Sequence, residues 1–101
     1  MQIGMFYQIQ VPKPWSANSD SDKYWDMMDQ IVLAEELGFS SVWMADHQFR
    51  TEWSHSSAPD VTLAAISQRT SRIRLGIAVA VPPVQHPLHI TARTATLDIL
   101  S

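Results

Sequence analysis

None of the 101 residues is cysteine, which excludes a disulfide framework and a thiolate zinc site and leaves the redox compartment open. Basic residues are few: seven Lys and Arg against ten Asp and Glu give a net charge of -3, scattered between Lys13 and Arg93. No basic stripe is available to neutralise a phosphate backbone, so nucleic acid is not an expected partner. No apolar run reaches the roughly 18 residues that span a bilayer. The start MQIGMFYQIQ has neither the positive n-region nor the small-residue cleavage site of a signal peptide. No membrane partner is therefore expected, and a cytoplasmic location is. Glycine occurs only three times, and the first apolar segment runs into Pro12, Lys13, Pro14 and Trp15. The Gly-rich turn of a doubly wound nucleotide-binding sheet is thus missing too.

What remains is ordinary globular material, 46% hydrophobic and 17% charged, enough for one small domain. Ile3 to Ile9 is largely apolar, interrupted at Gln8, and reads as a first strand buried on both faces. Ser, Asn and Asp then continue to Asp22 as loop residues, with Asp20 or Ser21 as helix cap. Tyr24, Met27, Met28, Ile31, Ala34 and Leu37 recur at helical spacing, and Gly38 supplies the left-handed residue that ends the helix. Ser41 to Ala45 has strand length and stops at Asp46, His47 and Gln48. Phe49 to Ala58 has no period and reads as a long loop. Ser57 and Asp60 suit a capping box around Pro59, opening a second helix from Asp60 to Thr70. Ile73 to Val81 is a third strand, closed by Pro82 and Pro83. Pro87 opens a third helix with Leu88, Ala92, Ala95 and Ile99 on one face, a stripe for core or subunit interface.

Strands alternating with helices, each strand apolar on both faces, are the pattern of a parallel sheet built from right-handed crossovers. The expected fold class is α/β: the first three strand-helix units of a TIM (β/α)8 barrel, with residues 1–101 as the N-terminal part of a single barrel domain. Eight units and about 250 residues complete such a barrel. The expected sheet is therefore an incomplete barrel whose interior face is uncovered. Barrel active sites form at C-terminal strand ends, which here carry Tyr7, Gln8, Asp46, His47, Gln48 and the segment Ala78 to Pro83.

AEELGFSSVWMADHQF (Ala34 to Phe49) resembles the second-strand region of the bacterial luciferase-like monooxygenase family, where a helix ends in Glu-Leu-Gly-Phe and the next strand ends in an acidic residue and a histidine. TSRIRLGIAVAVPPVQHPLHITARTATLDILS (Thr70 to Ser101) resembles that family's third strand and helix, and IGMFY its start. The loop WSHSSAPDV (Trp53 to Val61), with VPKPW (Val11 to Trp15), is similar to one flavin-dependent branch.

The resemblance implies an oxidoreductase that uses reduced flavin and O2 to oxidise a small organic substrate. FMN is the implied cofactor, with the deazaflavin F420 as the alternative, and electrons reach it on the enzyme itself or through a partner flavin reductase. His47 aligns with a histidine that serves luciferases as an acid-base group beside the flavin, and an imidazole exchanges protons near neutral pH. Phe6 matches a position lining the flavin and substrate cavity. Ala78 and Val79 fall where the family often has a non-prolyl cis peptide against the flavin ring. His47 is thus the expected catalytic residue, and Phe6, His47, Ala78 and Val79 the expected cofactor contacts. Tyr7, Trp15 and Trp53 are candidates for the substrate side, the two tryptophans as a loop-borne lid. The family often packs its second and third helices across a dimer, so a homodimer through those helices is expected. Its later flavin phosphate contacts lie C-terminal to the matched stretch, and residues 1–101 alone are expected to be inactive.

Two positions depart from the family pattern: Gln48 stands where many members have a second histidine, and Thr91-Ala92 where an Ala-Glu pair is common. Other readings also stand beside the resemblance. A histidine after a short strand is more often a structural hydrogen-bonding group than a catalyst, and Trp25 and Trp43 are read as packing residues. His55, His86 and His89 could ligate a metal, as in metal-dependent hydrolase barrels. No His-x-His follows the first strand, however, and His86 suits a position just before Pro87, so no metal is expected. The alternative to an enzyme is a non-catalytic, truncated or assembling subunit whose uncovered sheet face binds a partner.

Overall fold

Three short, mostly apolar runs, GMFY, SVWM and RLGI, form three parallel strands in the computed structural model, which describes residues 1–101. In chain order the elements are β1 (Gly4–Tyr7), α1 (Ser19–Glu36), β2 (Ser41–Met44), α2 (Pro59–Ser67), β3 (Arg74–Ile77) and α3 (Pro87–Leu100). The sheet runs β1-β2-β3 and is open, with Phe6 opposite Trp43 and Trp43 opposite Gly76. The α/β class, the element order and the parallel sheet are those expected.

Strand alternation sends Met5, Tyr7, Val42, Met44, Leu75 and Ile77 to one face and Phe6, Trp43 and Gly76 to the other. The first face packs against the helices: Met27 and Ile31 of α1 and Leu63 and Ile66 of α2 join Val42, Met44, Ile9 and Ile73 in the core. Each such side chain gains about 1.5–3 kcal/mol by leaving water, so this cluster decides which side of the sheet the helices cover. The α1 stripe delivers Met27, Ile31 and Ala34 as buried residues, while Leu37, past the last turn, is exposed. Gly38 has the expected left-handed conformation, φ 89°. Glu35 then ties α1 to the start of β3: its Oε1 accepts the N–H groups of Ser71 (2.9 Å), Arg72 (2.6 Å) and Ile73 (2.8 Å).

Several local expectations are corrected. The strands are not buried on both faces, because the helices cover only one; burial alternates along β1 and β2. β1 ends at Tyr7, and Ile9 reaches the core only by leaving the strand direction at φ 51°. β3 ends at Ile77 rather than Val81, where the chain turns through Ala78-Val79, whose peptide bond is cis. Neither Asp20 nor Ser21 caps α1. Asn18 holds that position without a side-chain bond, and Asp20 pairs with Nδ1 of His55. The Ser57–Asp60 capping box does not form either: Ala58 is at the cap, Pro59 opens the helix, and the Asp60 carboxylate is drawn to Arg93. α2 stops at Ser67 instead of Thr70. In α3, Pro87 takes the first turn as expected and Nδ1 of His86 accepts the Leu88 N–H at 3.2 Å. The stripe Leu88, Ala92, Ala95 and Ile99 is exposed, and Leu97 is the residue that packs against the core.

Candidate functional site

Aromatic groups gather on the uncovered face of the sheet. Phe6 and Trp43 are register partners on β1 and β2, 53% and 45% exposed. The indole of Trp43 lies against Gly76 of β3, so close that a Cβ there would sit 2.6 Å from Cζ3 and 2.9 Å from Cδ2. Glycine at 76 is what admits the ring, and Nε1 of Trp43 is held by the Ser41 hydroxyl at 3.2 Å. Beyond the C-terminal end of β3, Val79 is a further apolar side chain, 65% exposed. The Ala78 N–H donates to the Met44 carbonyl at 2.8 Å, so the cis Ala78-Val79 pair is tied to the end of β2.

The same edge carries His47. Strand ends expose carbonyls and N–H groups that need partners, and the Ser-rich loop supplies them. The Ser56 hydroxyl donates to the Ala45 carbonyl at 2.6 Å, and the His47 N–H to the Ser56 carbonyl at 2.8 Å. The Ser54 hydroxyl donates to the Gln8 carbonyl, and the His55 N–H to the Ile9 carbonyl at 2.8 Å. Ser54 and Ser56 are buried in doing so. The loop is therefore stitched to the ends of β1 and β2, and the His47 side chain is left exposed on the rim.

Asp46 is held differently. One of its oxygens, Oδ2, accepts from the Gln85 amide at 2.8 Å; the Gln85 carbonyl accepts from Nη2 of Arg93 at 2.6 Å; and Nε of Arg93 pairs with Asp60 at 2.5 Å. The second Asp46 oxygen, Oδ1, is buried without a partner.

Of the residues expected at the site, Phe6, His47, Ala78 and Val79 lie at or near the C-terminal edge of the sheet. Tyr7 lines a hollow with Phe6 and Trp53, but alternation along β1 points its side chain to the opposite face from Phe6. It faces the helices, its hydroxyl donates to Gln30 of α1 at 2.8 Å, and burial, with the nearby charge of Asp26, raises its pKa above the ordinary phenol value. Trp53 and Phe6 line a hollow of about 660 Å³ together with Gln8, Gln10 and Val11. Trp15 packs on the largely buried His55, ring centroids 5.2 Å apart, while Nζ of Lys13 lies 4.9 Å from its ring centroid. His55 is thereby an anchor of the loop, and no group of three or more His, Asp or Glu side chains is placed to hold a metal ion. Sequence reasoning missed Trp43, because a strand thought to be buried on both faces hides which residues share a face with Phe6. It also missed Gln85 and Arg93, whose meeting with Asp46 depends on how α3 packs.

The family model described as luciferase-like monooxygenase matches residues 1–101. Limonene 1,2-monooxygenase of Rhodococcus erythropolis is 34% identical over 97 residues, covering 87% of this chain and 23% of that protein. An F420-dependent glucose-6-phosphate dehydrogenase of Amycolatopsis mediterranei is 34% identical over 79 residues, covering 75% of this chain and 24% of that protein. Among solved structures, the oxygenating constituent of 3,6-diketocamphane monooxygenase of Pseudomonas putida, in complex with FMN, superposes with a TM-score of 0.85 over 99% of this chain and 26% of its own. At 20% identity that match speaks to the fold. The chain thus spans about a quarter of the length of each of these proteins, at 23%, 24% and 26%.

Proposed function

The chain belongs to the luciferase-like monooxygenase family, and from that we propose that residues 1–101 are the N-terminal strand-helix units of a TIM barrel in which a reduced flavin and O2 oxidise a small organic substrate. The observation that carries this reading is the uncovered aromatic face of Phe6 and Trp43, with the exposed His47 and Val79 following the C-terminal ends of β2 and β3 of a parallel sheet. A flat ring system with an apolar body and a polar rim fits it: the wall offers apolar area, and the exposed His47 offers a polar group at its edge. Phe6, His47, Ala78 and Val79 would hold the ring, and FMN is the cofactor proposed. When bound, reduced flavin supplies the two electrons that, with O2, place one oxygen atom on the substrate and the other in water. His47 moves the accompanying proton at its ring nitrogen. Phe6, Trp43 and Val79 exclude water from the reacting atoms, and Trp53, on the rim of the hollow it shares with Phe6, closes the substrate side; Trp15 braces the neighbouring loop against His55.

A second cofactor is favoured by a specific observation, since relatives at 34% and 39% identity are F420-dependent dehydrogenases. No helix is long and apolar enough to cross a membrane. Val61, Leu88, Ile99 and Leu100 are exposed on α2 and α3, which supports a homodimer through those helices. The deciding experiment titrates FMN and F420 into this chain and into a longer form that closes the barrel, followed by tryptophan fluorescence, and measures O2 uptake with the reduced cofactor, with and without a flavin reductase. The longer form is expected to bind one cofactor saturably and the short chain to be inactive. Failure of the longer form to bind either would sink the reading.

A further inference from the structure

The end of β2 and the end of β3 carry the two halves of the proposed site, and a polar bridge runs between the elements that hold them. Asp46, next to His47, offers only acceptors, whereas Arg93 of α3 offers only donors. Gln85 stands between them with its NH2 on Oδ2 of Asp46 (2.8 Å) and its carbonyl on Nη2 of Arg93 (2.6 Å). That assigns the amide one orientation, since the flipped amide would face oxygen to oxygen and N–H to N–H. Gln85 itself sits on a turn closed by its N–H and that of Val84 on the Val81 carbonyl, at 3.0 and 2.9 Å, just after Ala78-Val79. Arg93 is fixed in turn by Asp60 at the start of α2, and Gln85, Arg93, Asp60, Ile77 and Ala80 enclose a small gap of about 20 Å³.

We propose that Gln85 and Arg93 are positioning residues, a bridge from α3 to Asp46 that holds segment 78–85 against the end of β2 and so sets Val79 relative to His47. The proposal rests on the flavin reading above for its function, but the bridge itself does not. A side chain at 85 must both donate to a carboxylate and accept from a guanidinium. A glutamate fulfils both only when protonated, and two facing carboxylates hold a proton more tightly than one alone. The charged groups facing position 85 are Asp46 from the end of β2 and Arg93 from α3, with Asp60 of α2 behind Arg93.

Two measurements test this. In amide hydrogen exchange on this chain, Gln85→Leu is expected to speed exchange at Ala78, Val84 and Gln85 at least 10-fold while core amides such as Met44 keep their rates. Unchanged rates, or an equal rise throughout the chain, would overturn the proposal whatever the cofactor. In the barrel-closing form, Gln85→Glu is expected to weaken FMN binding at least 10-fold at pH 8 and to recover at pH 5.5, relative to the wild type at each pH. Asp29→Asn, which breaks the separate Arg69–Asp29 pair, is expected to change binding less than twofold. Wild-type binding with no loss in Gln85→Glu refutes the bridge; absence of wild-type binding refutes the flavin reading, and the exchange result still decides the bridge.

Discussion

Replacing Gly76 tests whether the aromatic wall is built as described. A Cβ at 76 would press on the indole of Trp43, 2.6 Å from Cζ3 and 2.9 Å from Cδ2, so in Gly76→Ala the ring must leave β3. A fully buried Trp covers about 150–250 Å², and Trp43, 45% exposed, covers on the order of 100 Å². Losing nearly half of that contact at about 25 cal/mol per Å² costs about 1 kcal/mol, and residual crowding adds about 1 more. Alanine regains about 0.5–1 kcal/mol that glycine loses in a strand. The net expectation is a destabilisation of about 1–1.5 kcal/mol. With Trp43→Ala the obstacle is gone, and the same Gly76→Ala change should stabilise by about 0.5–1 kcal/mol. Urea unfolding of wild type, both single variants and the double variant, followed by far-UV circular dichroism, gives the coupling energy, expected near 2 kcal/mol. Equal effects of Gly76→Ala in the two backgrounds would refute the contact.

Glu35 should govern the acid limb of stability. Its burial alone would raise the carboxyl's pKa, but the backbone donors of Ile73, Arg72 and Ser71 and the charge of Arg72 outweigh it and lower the pKa. A lowered folded pKa contributes stability that is complete above the ordinary glutamate range and is lost as pH falls through the folded value. Glu35→Gln should therefore cost about 1 kcal/mol at pH 7, discounted for solvent screening, and flatten the fall in urea midpoint below about pH 4.5; an unchanged acid limb contradicts this. Tyr7→Phe removes the hydroxyl bonded to Gln30 and should cost no more than about 1 kcal/mol while leaving cofactor affinity unchanged, since that hydroxyl is engaged by α1; a loss of affinity would show that the hydroxyl serves the cofactor. His47→Ala in a barrel-closing form should lower turnover about 10²-fold or more and cofactor binding by much less, as one of four ring contacts, measured by steady-state O2 uptake and by fluorescence titration. Unimpaired turnover removes His47 from the proton transfer.

The parallel order of strands and helices was legible because each element has its own punctuation: Gly38 after α1, Pro59 opening α2 and Pro87 opening α3. The edge carrying Asp46 and His47 was legible for the same reason, as polar residues stopping an apolar run. Local chemistry misled where a distant partner competed. Asp20 and Asp60 have the composition of helix caps, yet His55 lies 35 residues from the first and Arg93 takes the second. The faces of the strands were illegible as well. Apolar runs such as SVWMA carry residues on both faces, and only the burial of Val42 and Met44 against Met27 and Ile31 reveals that Trp43 belongs to the open side.

That division of labour along a single strand has an evolutionary consequence. Val42 and Met44 answer to the helices, while Trp43 between them answers to whatever lies over the sheet. Substitutions at Phe6, Trp43 or Val79 can therefore change the shape offered to a bound molecule without repacking the interior. A local restraint on that freedom lies at position 76, where a larger residue displaces the indole of Trp43. A lineage that drifts to new substrates through this face is expected to change positions 43 and 76 together.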